Sequence, residues 1–491
     1  MRILQRLLGN KRPQVDPPRN EQVEPASEWI ADIGYQKLEP RKVLSATFFF
    51  DDGLLALSGF DQGQDLSFSQ TDADSGDAYV FEIANGDFVE SGTSNPQIEV
   101  GEGTLSVPVS LISQGISIDG NNNIGIAQIA STQEYSVPRL EIANFQLVDQ
   151  SFDLSISGEL SLRDISVSDS NPDDSINVGF SVEASSITLL GQISNLSDSN
   201  DAGISLVANG LDGDVAVDGA LIQTTAGDIS LLASSQITFV EDSISPSMIS
   251  AGEDGEISLT ASSILMEDGS SIEGIDGDIF VTADGLDLGD VTLGRIETAG
   301  GISINAAGDI LDGTFDELPN LVANRLDLVG NSIGDIDDIE TQVDLISFNA
   351  SENAQINDVS GEISLDRPSS AGGGFLNVGS SLIIGADVNL SGSFVFTADD
   401  SSSLGDTIRI NNSSVVLLDS PSDQMVEFIA GDDIVFDSGR IETTGGGSHL
   451  VSLVADNDGI FDGERGSISN TSASPISVSY THLTLPTILL V

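Results

Sequence analysis

The chain has 491 residues, with 78 acidic against 16 basic side chains and a formal net charge of −62. Hydrophobic residues make up 39% of it, which excludes a disordered acidic tail, because such tails combine high net charge with low hydrophobicity. Cysteine is absent, so a disulfide framework, a thiolate metal site and a cysteine nucleophile are also excluded.

The basic residues are concentrated at the N-terminal end. Eight of the 16 lie in residues 1–42, whereas the body from residue 43 onward carries 72 acids against eight arginines and no lysine. Because phosphate binding needs lysine or arginine, we expect no nucleic-acid partner. No run of about 18 apolar residues is present, so we expect no membrane-spanning helix.

The first 46 residues have the character of a leader followed by a short motif. Residues 1–37 are polar, basic and rich in proline, and we interpret them as disordered. Residues 38–46 read Leu-Glu-Pro-Arg-Lys-Val-Leu-Ser-Ala. This stretch resembles the LEPR-XLL motif of large repetitive surface proteins of aquatic bacteria, although Val43 replaces the usual leucine. The resemblance covers nine residues and implies sorting or export to the cell surface. The residues that match are Leu38, Glu39, Pro40, Arg41 and Leu44.

Residues 47–177 are rich in β-type runs without a clear period. Thr47–Phe50, Leu54–Leu57 and Tyr79–Ile83 are each followed by glycine, aspartate or other turn-forming residues within a few positions, which is typical of short strands. The segment is either a small β-domain or the N-terminal cap of a solenoid, since the first coil of a solenoid needs an atypical covering unit.

A repeat dominates residues 178–466. Its unit is glycine, a polar residue, then apolar-x-apolar-x-Ala, as in Gly227–Ala233 and Gly255–Ala261. The interval between copies is close to 24 residues, which predicts one coil of a parallel β-helix per copy and about 12 coils in all. Alternate residues would point into the core and stack one coil above another. The first apolar residues of the copies are Phe180, Ile204, Ile229, Ile257, Ile279 and Ile302, with weaker copies at Leu326, Ile346, Phe394 and Val426.

A longer repeat overlies the short one. Gly294–Gly301 recurs as Gly439–Gly446, which indicates duplication of a block of several coils. The style and period of these coils are similar to the filamentous haemagglutinin-type adhesins, which are right-handed β-helices. The predicted fold class is therefore all-β, a right-handed parallel β-helix preceded by a β-rich cap or small domain.

The tail at 467–491 departs from the pattern, because it contains no acidic residue and no glycine. Residues 478–491 resemble a peptide translated from sequencing-adapter DNA. We expect this end to be an artefact and the natural chain to continue into a larger protein.

The sequence offers little for catalysis. Only two histidines are present, His449 and His482, and no nucleophile elbow, phosphate loop or histidine-based zinc motif is found. Calcium is the best ligand hypothesis, since hard cations bind several oxygens on tight loops. Its competitor is an ordinary solvated Asp/Gly turn. The candidate ligands are Asp72, Asp74 and Asp77 in one loop and Asp456, Asp458 and Asp462 in another.

We therefore expect a non-catalytic structural or adhesive repeat protein, extracellular or on the surface of a bacterial cell. Its partners would be surface or matrix components such as polysaccharides. The alternatives are a carbohydrate-active β-helix enzyme and a calcium-stabilised matrix protein. A groove lined by acids together with Arg295, Arg325 or Arg409 would favour the enzyme.

Overall fold

The structure is a computed structural model. All the described residues belong to the unit Val43–Val491. In this part of the chain the secondary structure is almost entirely β, apart from a 3-10 turn at Val109–Leu111. It contains no helix of the length and apolarity that crossing a membrane would require. The described residues are 46–60, 65–71, 77–83, 86–92, 95–120, 125–128, 135–170, 178–197, 203–240, 245–285, 289–314, 318–359, 361–398, 406–455 and 466–471.

Nine short strands form the N-terminal part. They are β1 (Thr47–Asp51), β2 (Leu54–Ser58), β3 (Asp65–Gln70), β4 (Ala78–Ile83), β5 (Val89–Glu90), β6 (Glu99–Val100), β7 (Thr104–Pro108), β8 (Gly115–Asp119) and β9 (Gly125–Gln128). A separate sheet has the order β6-β7-β4-β3-β9 and is antiparallel except at β3–β9. Its core includes Phe68, whose ring lies 4.8 Å from that of Phe81 and 4.3 Å from that of Tyr135. The hairpin β1–β2 joins the main stack, because β2 pairs in parallel with β8.

The strands that follow β9 stack in parallel and form a solenoid. Those of its first part are β10 (Arg139–Val148), β11 (Phe152–Ser155), β12 (Glu159–Ser168), β13 (Phe180–Ala184), β14 (Ser186–Asn195), β15 (Ile204–Ala208), β16 (Val215–Thr224), β17 (Ile229–Ala233), β18 (Gln236–Val240), β19 (Met248–Ala251), β20 (Ile257–Ala261), β21 (Ser263–Met266), β22 (Ser271–Gly274), β23 (Ile279–Ala283), β24 (Val291–Leu293), β25 (Arg295–Glu297), β26 (Gly301–Ala306), β27 (Ile310–Asp312), β28 (Leu321–Gly330) and β29 (Ile339–Ala350).

These strands make three walls, each a parallel ladder along the solenoid axis. The first wall is β8, the N-terminal halves of β10, β12, β14 and β16, then β18, β21, β24 and β27. The second is the C-terminal halves of β10, β12, β14 and β16, then β19, β22, β25 and the N-terminal halves of β28 and β29. The third is β11, β13, β15, β17, β20, β23, β26 and the C-terminal halves of β28 and β29.

The second part of the solenoid has the strands β30 (Asn353–Asp358), β31 (Ile363–Leu365), β32 (Ser369–Ala371), β33 (Gly373–Val378), β34 (Leu382–Ile384), β35 (Val388–Leu390), β36 (Phe394–Ala398), β37 (Ile408–Ile410), β38 (Val415–Ser420), β39 (Met425–Ala430), β40 (Ile434–Phe436), β41 (Arg440–Gly445), β42 (Leu450–Val454) and β43 (Ile468–Asn470). They again form three ladders, one through β30, β33, β36, β39 and β42, one through β31, β34, β37, β40 and β43, and one through β32, β35, β38 and β41. The predicted parallel β-solenoid of about 12 turns is confirmed.

The three walls are rearranged between the two parts of the solenoid, in a region that we call the seam (β29 to β32, residues 339–371). The strand β30 pairs with the start of β29, and its Ala354 also bridges to Ile333. The second half of β29 is followed by two strands, since it pairs with both β31 and β32. Two walls therefore merge into one on one side of the solenoid, while a single wall divides in two on the other.

Parallel stacking also begins earlier than residue 178, where the glycine-based repeat starts. The strands β10 and β12 already pair along two walls. At the corner between those walls, Asn144 and Asp164 have φ of 61° and 52°, and the next coils have Gly191 and Gly219 there. Asparagine and aspartate tolerate the left-handed conformation better than other non-glycine residues, so the first corners lack the glycine that marks the later ones.

In the third wall, alternate residues of the repeat unit face the core, as predicted. In β17, Ile229, Leu231 and Ala233 are buried while Ser230 and Leu232 are exposed. The glycine before each strand has a further reason. Only Gly227 of this column has a positive φ, 106°. A Cβ on Gly277 would lie 2.0 Å from the carbonyl oxygen of Gly255 in the preceding coil, so close stacking of the backbone requires glycine there.

Candidate functional site

Most of the residues singled out by sequence lie outside the described part of the chain. These are the calcium candidates Asp72, Asp74, Asp456, Asp458 and Asp462, and the motif residues Leu38, Glu39, Pro40, Arg41 and Leu44. Asp77 is described: it is exposed and its main-chain oxygen accepts a hydrogen bond from the Val109 N–H at 2.9 Å. Among the described residues, no group of three or more histidine, cysteine, aspartate or glutamate side chains is placed to hold a metal ion.

The arginines that would favour an enzyme do not converge on one groove of acids. Arg295 pairs with Glu297 two positions along its own strand, at 2.8 Å, and the corresponding pair in the duplicated block is Arg440 with Glu442. Arg325 pairs with Asp366 at 2.7 Å, and the exposed Arg409 lies in β37.

His449 also lacks the partner that a catalytic triad would need. Its Nε2 lies 2.7 Å from the main-chain oxygen of Thr444, and its Nδ1 has no hydrogen-bond partner in the part of the chain that the structure describes. A triad histidine would instead face a nucleophile and an orienting carboxylate.

Many aspartates at the corners of the coils bind the backbone of the next coil. A short carboxylate side chain spans the gap of about 4.8 Å between coils, and its charge strengthens the hydrogen bond that it accepts from an N–H group. These side chains therefore hold successive turns in register. The pairs, from carboxylate Oδ1 to backbone N, are Asp149–Ser170 (2.7 Å), Asp164–Gln192 (3.0 Å), Asp214–Gln236 (3.0 Å), Asp228–Glu256 (2.9 Å), Asp278–Gly301 (2.8 Å), Asp290–Asp309 (2.8 Å), Asp309–Ser332 (2.9 Å), Asp387–Val415 (2.9 Å), Asp423–Ser448 (2.7 Å) and Asp433–Ser467 (2.7 Å).

Replacing one such carboxylate tests its structural role. We expect Asp278→Ala to lower the free energy of unfolding by about 1 kcal/mol, because the Gly301 N–H loses its acceptor. Asp278→Asn keeps an acceptor oxygen and removes a negative charge, so its loss should be clearly smaller. Urea denaturation of both variants measures the difference. Equal losses would mean that the carboxylate does not act as the acceptor.

The third wall has an outer face without charge over five coils. The outward side chains of β15, β17, β20, β23 and β26 form two columns along the axis, set by the parallel register. Glu183 precedes this face in one column and Asp327 follows it in the other. The columns are Ser205-Ser230-Ser258-Phe280-Ser303 and Val207-Leu232-Thr260-Thr282-Asn305. We call these ten residues the uncharged face.

The hydroxyl groups of the uncharged face are not used by the fold. No side-chain hydrogen bond to another described residue is made by its serines and threonines. Corner serines differ, since Ser262 donates to the Ser234 oxygen at 3.0 Å and Ser247 donates to the Val217 oxygen at 2.7 Å. The hydroxyls of the face are therefore directed at solvent or at a ligand.

A row of carboxylates borders this face along one edge. Asp228, Glu256 and Asp278 occupy equivalent positions before β17, β20 and β23. The pKa of Glu256 is raised, first by loss of solvation and then by the negative charges of Asp228 and Asp278. The edge thus has a strongly negative potential, which disfavours an anionic ligand on the adjacent face.

A second unusual cluster lies at the seam. Alternation along β29 places Ile339, Thr341 and Val343 inward and Glu340 outward, yet Glu340 is only 2% exposed. Asn320 contacts its main chain: the Asn320 Oδ1 accepts a hydrogen bond from the Glu340 N–H at 3.0 Å. The carboxylate Oε2 of Glu340 has no hydrogen-bond partner among the described residues.

The environment of Glu340 favours its protonated form. Its pKa is raised from 4.5 to about 7, chiefly by loss of solvation on burial. A hydrogen bond from its own main chain opposes this rise, and the charges of Asp312, Asp338 and Asp337 add to it. The other buried carboxylate of the seam, Asp358, is satisfied instead, because it accepts from the Thr341 hydroxyl at 2.8 Å and the Val343 N–H at 3.1 Å.

Sequence reasoning did not find the corner aspartates, the uncharged face or Glu340 as sites. The first two had a signal, since Gly-Asp or Gly-Glu precedes β17, β20 and β23, and six of the ten residues of the uncharged face are serine or threonine. Glu340 had none, because alternation along β29 predicts an outward side chain at this position.

Comparison of the chain with protein-family models, with curated proteins and with solved structures finds no match. The fold alone defines the class of the molecule, which is that of the β-solenoids.

Proposed function

We propose that this protein is an extracellular or cell-surface structural and adhesive protein of a bacterium, and that it is not an enzyme. The uncharged face carries the proposal, because it presents unengaged hydroxyls and a phenylalanine on one wall, while the neighbouring acids Asp228 and Asp278 accept hydrogen bonds at the corners. β-Solenoids occur in enzymes as well as in scaffolds, so the argument rests on this use of polar groups and not on the fold. The LEPR-XLL-like residues 38–46 support the location.

Adhesion of the full chain to polysaccharide matrix is the direct test. We expect beads coated with the folded chain to be retained on matrix-coated glass several-fold better than beads coated with the heat-unfolded chain. The unfolded chain is the matched control, because it has the same net charge but no walls. Equal retention of the two would contradict an adhesive function.

The enzymatic alternative is tested on the same material. We expect no new reducing ends and no unsaturated sugar products when the chain is incubated with neutral and acidic polysaccharides. Release of either product in proportion to protein concentration would replace the scaffold proposal with a carbohydrate-active enzyme. Labelling of intact and of lysed cells with an antibody tests the surface location, and signal only after lysis would contradict it.

A further inference from the structure

We propose that the uncharged face binds an uncharged polysaccharide chain, with a sugar ring lying against Phe280. This inference rests on the adhesive function proposed above and names its ligand and its surface.

The outward, exposed position of Phe280 is not explained by a structural role. Its neighbours in the same column are Ser258 and Ser303, and its side chain is 37% exposed. Among the described residues, most phenylalanines are buried in the core, and Phe280 and Phe49 are the exposed exceptions. A flat aromatic ring beside free hydroxyls presents the two contacts that a sugar needs, an apolar surface for its C–H groups and hydrogen-bonding partners for its hydroxyls.

The charge of the surroundings selects an uncharged ligand. The carboxylates of Asp228, Glu256 and Asp278 line one edge of the face. An anionic polysaccharide would be repelled by this edge, and a cationic partner would gain more from the edge than from the face. A neutral ligand is neither repelled by the acidic edge nor drawn away from the face to that edge, and it needs no counterion.

The size of the face argues against a second protein. Five strands spaced by about 4.8 Å extend for about 24 Å along the axis, and each strand of five residues is about 17 Å wide, so the flat area is about 400 Å². A stable protein interface covers about 800 Å² on each partner. A polysaccharide is narrow enough to place a few sugar rings on the uncharged face of one molecule. When many molecules contact the same polymer, their weak contacts add up to firm adhesion.

The test is electrophoresis of the full chain in native gels that contain a polysaccharide. We expect migration to be retarded by at least one uncharged polymer among soluble β-glucan, mannan and dextran, and not by alginate or hyaluronate. Phe280→Ser, which makes the column uniform with Ser258 and Ser303, should weaken the retardation about 10-fold. The control is Phe49→Ser, since Phe49 is also exposed (43%) but lies in β1, outside the face.

Several outcomes would overturn the inference. They are retardation by none of the uncharged polymers, retardation only by the anionic ones, and full retention of binding in Phe280→Ser with unchanged circular dichroism. A shift from dimer to monomer in Phe280→Ser on sedimentation would assign the face to a second copy of the chain. If Phe280→Ser still adheres to matrix as the unaltered chain does, the adhesive function stands and only this assignment of its surface fails.

Discussion

Replacement of Glu340 by glutamine should stabilise the protein at pH 8 by about 3 kcal/mol and leave its stability at pH 4 nearly unchanged. The pKa of this buried carboxyl rises from 4.5 to about 7 in the folded protein, so the folded state holds the proton more tightly than the unfolded state does. The resulting stabilisation is complete below pH 4.5 and is lost as the pH rises through about 7. A pKa difference of this size corresponds to about 3 kcal/mol.

The measurement is the free energy of unfolding from urea denaturation at a series of pH values. The quantity that isolates Glu340 is the difference between the variant and the unaltered protein, because the other carboxylates contribute equally to both. Glu352→Gln is the matched control, since Glu352 lies between β29 and β30 and is exposed, so the same charge is removed without a change in the core. Parallel profiles for Glu340→Gln and the unaltered protein would refute a raised pKa at this site.

Truncation of Phe396 to alanine should cost about 3–5 kcal/mol, the usual cost of removing a buried phenylalanine. Its side chain is 0% exposed, and its ring lies 5.1 Å from that of Phe428 in the next coil and 4.7 Å from that of Phe394. The cavity would open between coils of the second part of the solenoid and remove contacts on both sides.

Phe280→Ala is the control for this second prediction. The same atoms are removed on an outward position, so we expect a change within about 0.5 kcal/mol. Urea denaturation of the two variants compares them directly, and hydrogen exchange of the amides in β36 and β39 would locate the effect. Similar costs for the two substitutions would contradict the inward and outward assignment on which both the core and the uncharged face depend.

The sequence was sufficient to predict the fold class and the inward face of the third wall. The alternation in Gly227–Ala233 and its copies sets which residues face the core, because in a strand this depends only on neighbouring positions. It was not sufficient to place the later copies. Phe394 and Val426 begin copies of the same repeat unit as Ile302. Their strands nevertheless stack in the ladder of β30 and β33 and not on the third wall. Which strand lies above which is decided by contacts distant in sequence.

The sites were harder to predict than the fold. Aspartate and glycine in a turn fit calcium binding as well as a plain turn, and only the structure reveals that carboxylates such as Asp278 accept hydrogen bonds from the next coil. Glu340 is buried at the seam, where the walls rearrange, so no local sequence pattern predicts its burial. The raised pKa follows from that rearrangement.

The stacking of corner carboxylates makes the solenoid a polyelectrolyte. From residue 135 onward the chain carries 58 acids against 8 bases, and about 12 coils extend for about 60 Å. The net charge is therefore on the order of one per Å, comparable to double-stranded DNA with one per about 1.7 Å. Cations must gather around the corners as they do around DNA. A partner held at the corners would displace them and bind with a steep dependence on salt, whereas a ligand on the uncharged face would bind almost independently of it.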